Sequence, residues 1–250
     1  MKHTLSLIAG VALLLPLTLA GCSEDATKEE PQTLTVLGAA SLTDVFEELA
    51  TTFEEENDVD VVFSFGSSTD LAEQAVDGAP GDVLATADET SMTLAEDADV
   101  TGDVSEFASN VLVIVTKPGN PEGITSLADL AKVDWVRCAD EVPCGRVALS
   151  VLAEDPVKNE PVSLEEDVRA TLDKVVAGEA DAGLVYATDA VVAGDTVDTV
   201  QIEGSADHAT AYFMAALEQS EDSALAEEWI AFVTSDEGMA VLEAAGFGKP

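Results

Sequence analysis

The stretch TLTVLGAASLTDVFEELATTFEEE, residues 33–56, joins a short apolar run to a longer amphipathic segment. The apolar run predicts a β-strand, and the segment from Leu42 to Glu56 predicts a helix because its apolar residues recur at helical spacing. Ser41, with Asp44 three residues later, predicts a helix N-cap. A turn between a strand and a helix is also where proteins bind anions on free backbone N–H groups. Ser41 is therefore either a cap or part of an anion site.

The rest of the chain repeats this alternation. Helices are predicted from Thr69 to a glycine stop at Gly78, at 143–155, at 163–180 with Ser163 and Glu166 as a capping box, at 224–235 and at 236–247. Strands are predicted at 59–65, 82–87, 110–116, 135–140, within 182–190, at 196–202 and within 208–217. This order predicts an α/β fold with mainly parallel strands. We expect two lobes, lobe I at 33–112 plus 207–250 and lobe II at 113–206.

The N-terminus carries an export signal. Residues 1–3 are a short charged start, residues 5–20 are apolar, and the run ends in LTLAGC. This ending resembles the lipobox of bacterial lipoproteins, in which the cysteine is lipidated, although an ordinary signal peptide with a chance cysteine is the alternative. We expect a signal peptide at 1–21, lipidation at Cys22, a flexible tether at 22–32 and an extracytoplasmic protein anchored to the cell membrane.

The acidic composition excludes several partners. Ten Lys and Arg face fifty Asp and Glu, for a formal net charge of −40. Such a surface repels nucleic acid and anionic lipid headgroups. The acidic residues are scattered and form no D-x-D-x-D-G loop for calcium, so a solvated acidic surface is favoured over cation binding.

Few residues offer enzyme chemistry. His208 is the one histidine after the signal peptide, and no G-x-S-x-G or Walker-type motif is present. Paired carboxylates of a glycosidase remain open among so many acids, but aromatic residues are only 5% of the chain. Cys138 and Cys144 are better explained as a disulfide, which export permits and which would contribute about 2 kcal/mol. We expect no enzyme and a structural role for His208.

Serine and tyrosine hydroxyls cluster in the loops that follow the predicted strands. These loops read AASLTD, GSSTD, VPCGR, EEDVR and VYATD, and ligands bind at such strand ends in open α/β sheets. From Glu29 through Thr116 the sequence has no Lys, Arg or His. An anion held by the first lobe is therefore held by hydroxyls and backbone N–H groups.

Six short segments occur in a fixed order along the chain: A-A-S-L, F-x-S-S, G-A-P-x-D-V, V-P-x-G, E-D-V-R and L-V-Y. With these segments the chain closely resembles the molybdate-binding proteins of ABC transporters. The resemblance implies a two-lobed type II periplasmic-binding fold, each lobe a mixed, mainly parallel sheet flanked by helices, that closes on one tetrahedral oxyanion. It implies hydroxyl donors at Ser41, Ser68 and Tyr186, and backbone N–H donors at Cys144 and Val168. The family usually has alanine at Cys144 and proline at Phe213, so the latter strand is expected to differ locally.

The resemblance also implies a function. The protein would capture molybdate or tungstate, without a cofactor, and deliver it as a monomer to a membrane permease. A binding protein for another oxyanion or a small carboxylate is the alternative, and a secreted enzyme comes third. Arg169 follows three acidic residues, 165–167, so we expect it to form a local ion pair worth little.

Overall fold

The computed structural model describes residues 32–250. The predicted signal peptide and the lipidated Cys22 lie outside the described residues, as does the tether except for Gln32, which is the first residue of a strand. No helix within 32–250 is long and apolar enough to cross a membrane.

The described chain contains two five-stranded sheets. The first has the order β2-β1-β3-β10-β4 and the second has the order β7-β6-β8-β5-β9. The strands are β1 Gln32–Ala39, β2 Val59–Gly66, β3 Val83–Thr86, β4 Ser105–Asn110, β5 Leu112–Thr116, β6 Trp135–Cys138, β7 Ser163–Glu165, β8 Ala182–Tyr186, β9 Asp198–Gln201 and β10 Thr210–Ala216.

Helices follow most of the strands and cover the sheets. They are α1 Thr43–Asn57, α2 Ser68–Val76, α3 Glu89–Asp97, α4 Pro143–Glu154, α5 Val168–Val176, α6 Ala187–Ala193, α7 Ser223–Val233 and α8 Asp236–Ala244. In α1 the predicted apolar face is buried, and Phe46 and Phe53 of this face pack edge-on against Trp229 of α7, with ring centroids 5.6 Å and 5.2 Å away. Edge-to-face aromatic packing of this kind adds to the stabilisation from buried area.

Each sheet is mixed. In the first, β1 runs parallel to β2 and β3, while β10 runs antiparallel to β3 and β4. In the second, β6 runs parallel to β7 and β8, while β5 runs antiparallel to β8 and β9. The chain therefore crosses to the second sheet after β4 and returns to the first sheet with β10. The pairing of β10 with β4 shifts register between Tyr212 and Phe213, the position singled out in the sequence.

The predicted strand at 110–116 is wrong in its first part. Asn110 ends β4 in the first sheet, Val111 belongs to neither strand, and β5 begins at Leu112 in the second sheet. Leu112, which we assigned to lobe I, is therefore paired in the second sheet. An apolar run that is continuous in sequence gives no sign of a change of sheet, because both sheets bury its side chains.

Two predicted helix caps are also wrong. Ser163 lies in β7, which pairs with β6. Helix α5 starts later, and its N-cap is Asp167, whose carboxylate accepts from the backbone N–H of Ala170 at 2.9 Å. Ser41 lies inside a short 3-10 turn, Ala40–Leu42, and makes no cap bond to α1. In both cases pairing or tertiary contact takes precedence over a local capping pattern.

Candidate functional site

A small cavity lies where the carboxyl ends of strands from both sheets meet. Its volume is about 20 Å³. That is slightly more than the 10–15 Å³ or so that one water molecule needs and far below the size of a cofactor pocket. All five residues predicted as ligand donors line it. The lining residues are Ala39, Ala40, Ser41, Gly66, Ser67, Ser68, Ala87, Val142, Pro143, Cys144, Asp167, Val168 and Tyr186.

Helix N-termini converge on this cavity. α2 begins at Ser68, α4 at Pro143 and α5 at Val168, and all three residues line the cavity. The backbone N–H groups of a first helical turn have no partner within the helix and carry partial positive charge. Proline at the first position of α4 lacks such a group, so Cys144 presents the first N–H of that helix. The arrangement provides neutral donors from both sheets.

Gly145 allows the first turn of α4 to pack closely against the preceding loop. A Cβ added at this position would come within 1.6 Å of the carbonyl oxygen of Ala139, a distance that no side chain could occupy. Any larger residue would therefore displace the turn that carries Cys144.

A disulfide joins Cys138 and Cys144, with their Cα atoms 5.7 Å apart. The predicted pairing is therefore confirmed. It ties the end of β6 to the first turn of α4, so the loop that presents the Cys144 N–H is fixed at both ends.

Two hydroxyls in the cavity have no protein partner. Ser67 Oγ and Tyr186 Oη are buried and, within residues 32–250, make no hydrogen bond. Burial raises the pKa of Tyr186 well above its usual value, so the phenol keeps its proton and is a donor. Buried polar atoms are nearly always satisfied in folded proteins, so two orphans facing one cavity indicate a site for a hydrogen-bonding ligand.

The other two hydroxyls have partners but keep a donor. Ser68 Oγ accepts from the N–H of Ala87 at 3.0 Å, which leaves its proton free. Ser41 Oγ lies 2.8 Å from the hydroxyl of Tyr212 on β10. Each hydroxyl has one proton and two lone pairs, so both can still donate to a ligand.

Basic side chains surround the cavity without lining it. Of the described lining residues, one is charged, Asp167, and its carboxylate accepts the α5 cap bond. Arg146 of α4 contacts three residues that belong to chain segments of the first sheet. Its Nε lies 2.6 Å from Asp88 Oδ2. A terminal NH₂ group of the guanidinium donates to Ser91 Oγ at 2.9 Å and to Thr69 Oγ1 at 3.1 Å.

Arg169 does not form the predicted local ion pair. Its Nε lies 2.9 Å from Asp189 Oδ1 on α6, and its other guanidinium edge contacts Asp44 of α1. The prediction was wrong because two of the preceding carboxylates have other partners: Glu165 accepts from Ser163 Oγ, and Asp167 accepts from the backbone N–H of Ala170. Arg169 thus links segments of both sheets.

His208 lies outside the cavity lining and is held by α4. Its Nδ1 is 2.6 Å from Ser150 Oγ, and its Nε2 is 3.3 Å from a carboxylate oxygen of Glu154. These contacts agree with the structural role expected for it.

Three contributors to the site were missed from the sequence: Ser67, Tyr212 and Arg146. Ser67 had a visible signal, because it precedes Ser68 in the same strand-to-helix turn. Tyr212 and Arg146 had none, because Tyr212 is distant from Ser41 in sequence and the partners of Arg146 come from the other sheet.

Two mixed sheets that enclose a small donor-rich cavity between the ends of their strands define the class of protein: a two-lobed binding protein for a small solute. The predicted fold class is confirmed by the comparisons with known proteins.

The family model for bacterial extracellular solute-binding proteins matches residues 34–248. The chain is 35% identical over 251 residues to the molybdate-binding protein ModA of Mycobacterium tuberculosis, with 96% of each chain covered. It is 34% identical over 205 residues to ModA of Escherichia coli, covering 76% of this chain and 77% of that one. The solved periplasmic molybdate-binding protein of Azotobacter vinelandii superposes with a TM-score of 0.78 at 22% identity, covering 87% of this chain and 99% of that one. The chain belongs to the bacterial extracellular solute-binding protein family.

Proposed function

We propose that this chain is the extracytoplasmic substrate-binding component of a bacterial ABC transporter, and that it captures molybdate or the nearly isosteric tungstate. One observation carries the proposal: five neutral donors from both sheets line a single cavity of about 20 Å³ that, in the described chain, no basic side chain lines. Relatives at 34–35% identity are named molybdate-binding proteins, which supports the choice of anion.

The donors divide into two kinds. Ser41, Ser68 and Tyr186 donate hydroxyl protons, and Cys144 and Val168 donate backbone N–H groups at the starts of α4 and α5. Such donors are held by the fold, so the geometry around the anion is set before it binds. The orphan hydroxyl of Ser67 adds a further donor.

The hydroxyls and helix N-termini of this site favour a fully deprotonated dianion, and Oδ1 of Asp167, the one charged residue in the described lining, is already engaged by the N–H of Ala170. Hydrogen phosphate carries a proton that needs an acceptor, and burying that O–H without one is unfavourable. Sulfate has the same charge as molybdate, and the choice between these two dianions is supported by the relatives that are named molybdate-binding proteins. The proposed preference over phosphate therefore follows from protonation.

Contacts between the segments of the two sheets hold the anion in. Arg146 and Arg169 reach from the second sheet's helices to Asp88 and Asp44, which belong to the first sheet's segments. The closed form they stabilise is what a membrane permease would receive. Lipidation at Cys22 would keep the protein at the membrane, and we propose that it acts as a monomer, without enzyme activity and without a nucleic-acid partner.

Thermal-shift measurements on the mature chain test this function. Molybdate and tungstate should each raise the melting temperature, because a ligand that binds only the native state stabilises it. Sulfate should do so less, and phosphate and small carboxylates should do so least. Stabilisation by phosphate or a carboxylate, with none by molybdate, would contradict the proposed function.

A further inference from the structure

A buried chain of hydrogen bonds leads to Ser41 from behind the cavity. Tyr212 Oη lies 2.8 Å from Ser41 Oγ, and Asn110 Nδ2 lies 3.4 Å from the same phenol oxygen and 2.8 Å from Thr188 Oγ1. All four side chains are buried. Asn110 ends β4, immediately before the crossover to the second sheet, while Thr188 belongs to α6 of the second sheet.

The direction of this chain is fixed at Asn110. Its Oδ1 accepts from the backbone N–H of Val111 at 3.0 Å, and a backbone N–H can only donate. The amide NH₂ therefore faces Tyr212 and Thr188 and donates to both oxygens. Because the phenol oxygen of Tyr212 accepts a hydrogen bond from Asn110, its own proton is directed to its remaining partner, Ser41.

The direction of these hydrogen bonds determines what Ser41 offers to a ligand. When Tyr212 donates to Ser41, the serine proton is not used within the protein and stays available for the cavity. Burial also raises the pKa of Tyr212, so the phenol keeps the proton that it donates. Hydrogen bonds in such a chain strengthen one another, since each donor is polarised by the bond it accepts.

We propose that Asn110 and Tyr212 are positioning residues that keep the Ser41 hydroxyl as a donor toward the cavity and so contribute to selection of proton-free oxyanions. The proposal rests on the proposed function, because it concerns the same site. Neither residue lines the cavity. They act on the ligand through Ser41.

Asn110→Asp reverses the chain with almost no change in shape. A carboxylate accepts where the amide donated, so Tyr212 turns its proton to residue 110 and its oxygen accepts from Ser41. Ser41 then offers lone pairs to the ligand. At pH 8 molybdate, sulfate and hydrogen phosphate are all mainly dianions, so the added negative charge weakens each of them similarly. Only hydrogen phosphate carries a proton that the reversed Ser41 can accept.

The experiment is competition calorimetry with molybdate, sulfate and inorganic phosphate on wild type and Asn110→Asp. The ratio of molybdate affinity to phosphate affinity should fall about tenfold in the variant, and the ratio of sulfate affinity to phosphate affinity should fall with it. An equal loss for all three anions would show an effect of charge alone and would overturn the proposal.

Tyr212→Phe is the second variant and adds no charge. It should weaken molybdate binding by about threefold to tenfold. Ser220→Ala, which removes a hydroxyl that donates to Asp82, is the matched control and should keep wild-type affinity. Unchanged molybdate affinity in Tyr212→Phe would overturn the proposal even if Asn110→Asp failed to fold. A wild type that binds sulfate but not molybdate contradicts the proposed function, and the sulfate-to-phosphate ratio then tests the positioning role. Binding of none of the three anions would overturn both.

Discussion

At the scale of single residues, the site is distinguished by donors that lack a protein partner. Tyr186 has an exposed fraction of 1%, and its hydroxyl makes no hydrogen bond in the described chain. A group of this kind destabilises the protein until a molecule in the cavity accepts its hydrogen bond. The same atom therefore has opposite effects on stability and on binding.

Tyr186→Phe tests this opposition. We expect the free energy of unfolding without ligand to stay the same or rise by up to about 1 kcal/mol, because an unsatisfied buried group is removed. Molybdate affinity should fall by about tenfold or more, because a hydrogen bond to a charged ligand is lost. Urea denaturation and calorimetry measure the two quantities. A variant that loses stability and keeps its affinity would contradict the assignment of this hydroxyl.

Asp189 gives the protein a pH-dependent stability. Burial raises the pKa of this carboxyl from 3.8 to about 7, against the opposing effects of Arg169 and the N–H of Tyr186. The folded state then holds a proton that the unfolded state has lost, so the free energy of unfolding falls as the pH rises from about 4 to 7. One proton gives at most about 1.4 kcal/mol per pH unit.

Asp189→Asn removes this titration. The stability of the variant relative to wild type should increase as the pH rises from 4 to 8, in urea denaturation at a series of pH values. Asp173→Asn, an exposed position on α5, is the control and should follow the wild-type profile. Parallel profiles for Asp189→Asn and wild type would show that this carboxyl does not titrate in the window.

At the scale of elements, the N-termini of helices form a large part of the candidate binding site. α2, α4 and α5 each begin at the cavity, and the disulfide anchors the start of α4 to the end of β6. The position of a backbone N–H donor is only as well defined as the turn that carries it is rigid. We therefore expect the disulfide to contribute to binding as well as to stability.

Replacing both Cys138 and Cys144 with alanine tests the anchoring role. We expect a loss of about 2 kcal/mol in the free energy of unfolding from the closed loop, and a weaker molybdate affinity by several-fold from a mobile Cys144 N–H. The measurements are thermal denaturation and calorimetry, and reduction of the wild type should reproduce both effects. Unchanged melting temperature and affinity would remove the anchoring role.

Arg146 links α4 to the turns that precede and begin α2 and α3. Arg146→Lys keeps the charge but loses the fork that contacts Asp88, Ser91 and Thr69 together. The dissociation rate of molybdate should rise about tenfold with little change in the association rate, because the closed form is less stable. Stopped-flow fluorescence measures both rates.

Lys132→Gln is the control for Arg146, since it removes an exposed ion pair with Asp129 on the second sheet's side. It should leave the molybdate dissociation rate unchanged. An unchanged rate in Arg146→Lys as well would show that the Arg146 contacts do not hold the ligand in.

At the scale of the whole molecule, the charge of −40 opposes the approach of a dianion. The acidic residues are spread over the surface, and salt screens charges that lie beyond a Debye length of roughly 8 Å at 0.15 M ionic strength. Molybdate affinity should therefore rise with ionic strength from low salt. Calorimetry in sodium chloride from low to physiological concentration measures this, and a fall in affinity over that range would contradict the account.

Much of this molecule could be predicted from its sequence because its signals are local. The strand and helix around Ser41 and the disulfide depend on short segments, and the five cavity residues were implied by the family resemblance that rests on short segments in a fixed order. Contacts between distant segments could not be predicted. The bond between Ser41 and Tyr212 depends on the return of β10 to the first sheet. The pairing of Arg169 with Asp44 and the change of sheet at Val111 depend on how the two sheets are placed.

The most direct test of the central claim is titration of molybdate into the purified mature chain by calorimetry, for wild type and for the Ser41→Ala, Ser68→Ala double variant. We expect saturable binding of one molybdate per wild-type chain, and loss of that binding in a double variant that remains folded by circular dichroism. Wild-type binding that persists undiminished in the folded double variant, or a wild type that does not bind molybdate, would contradict it.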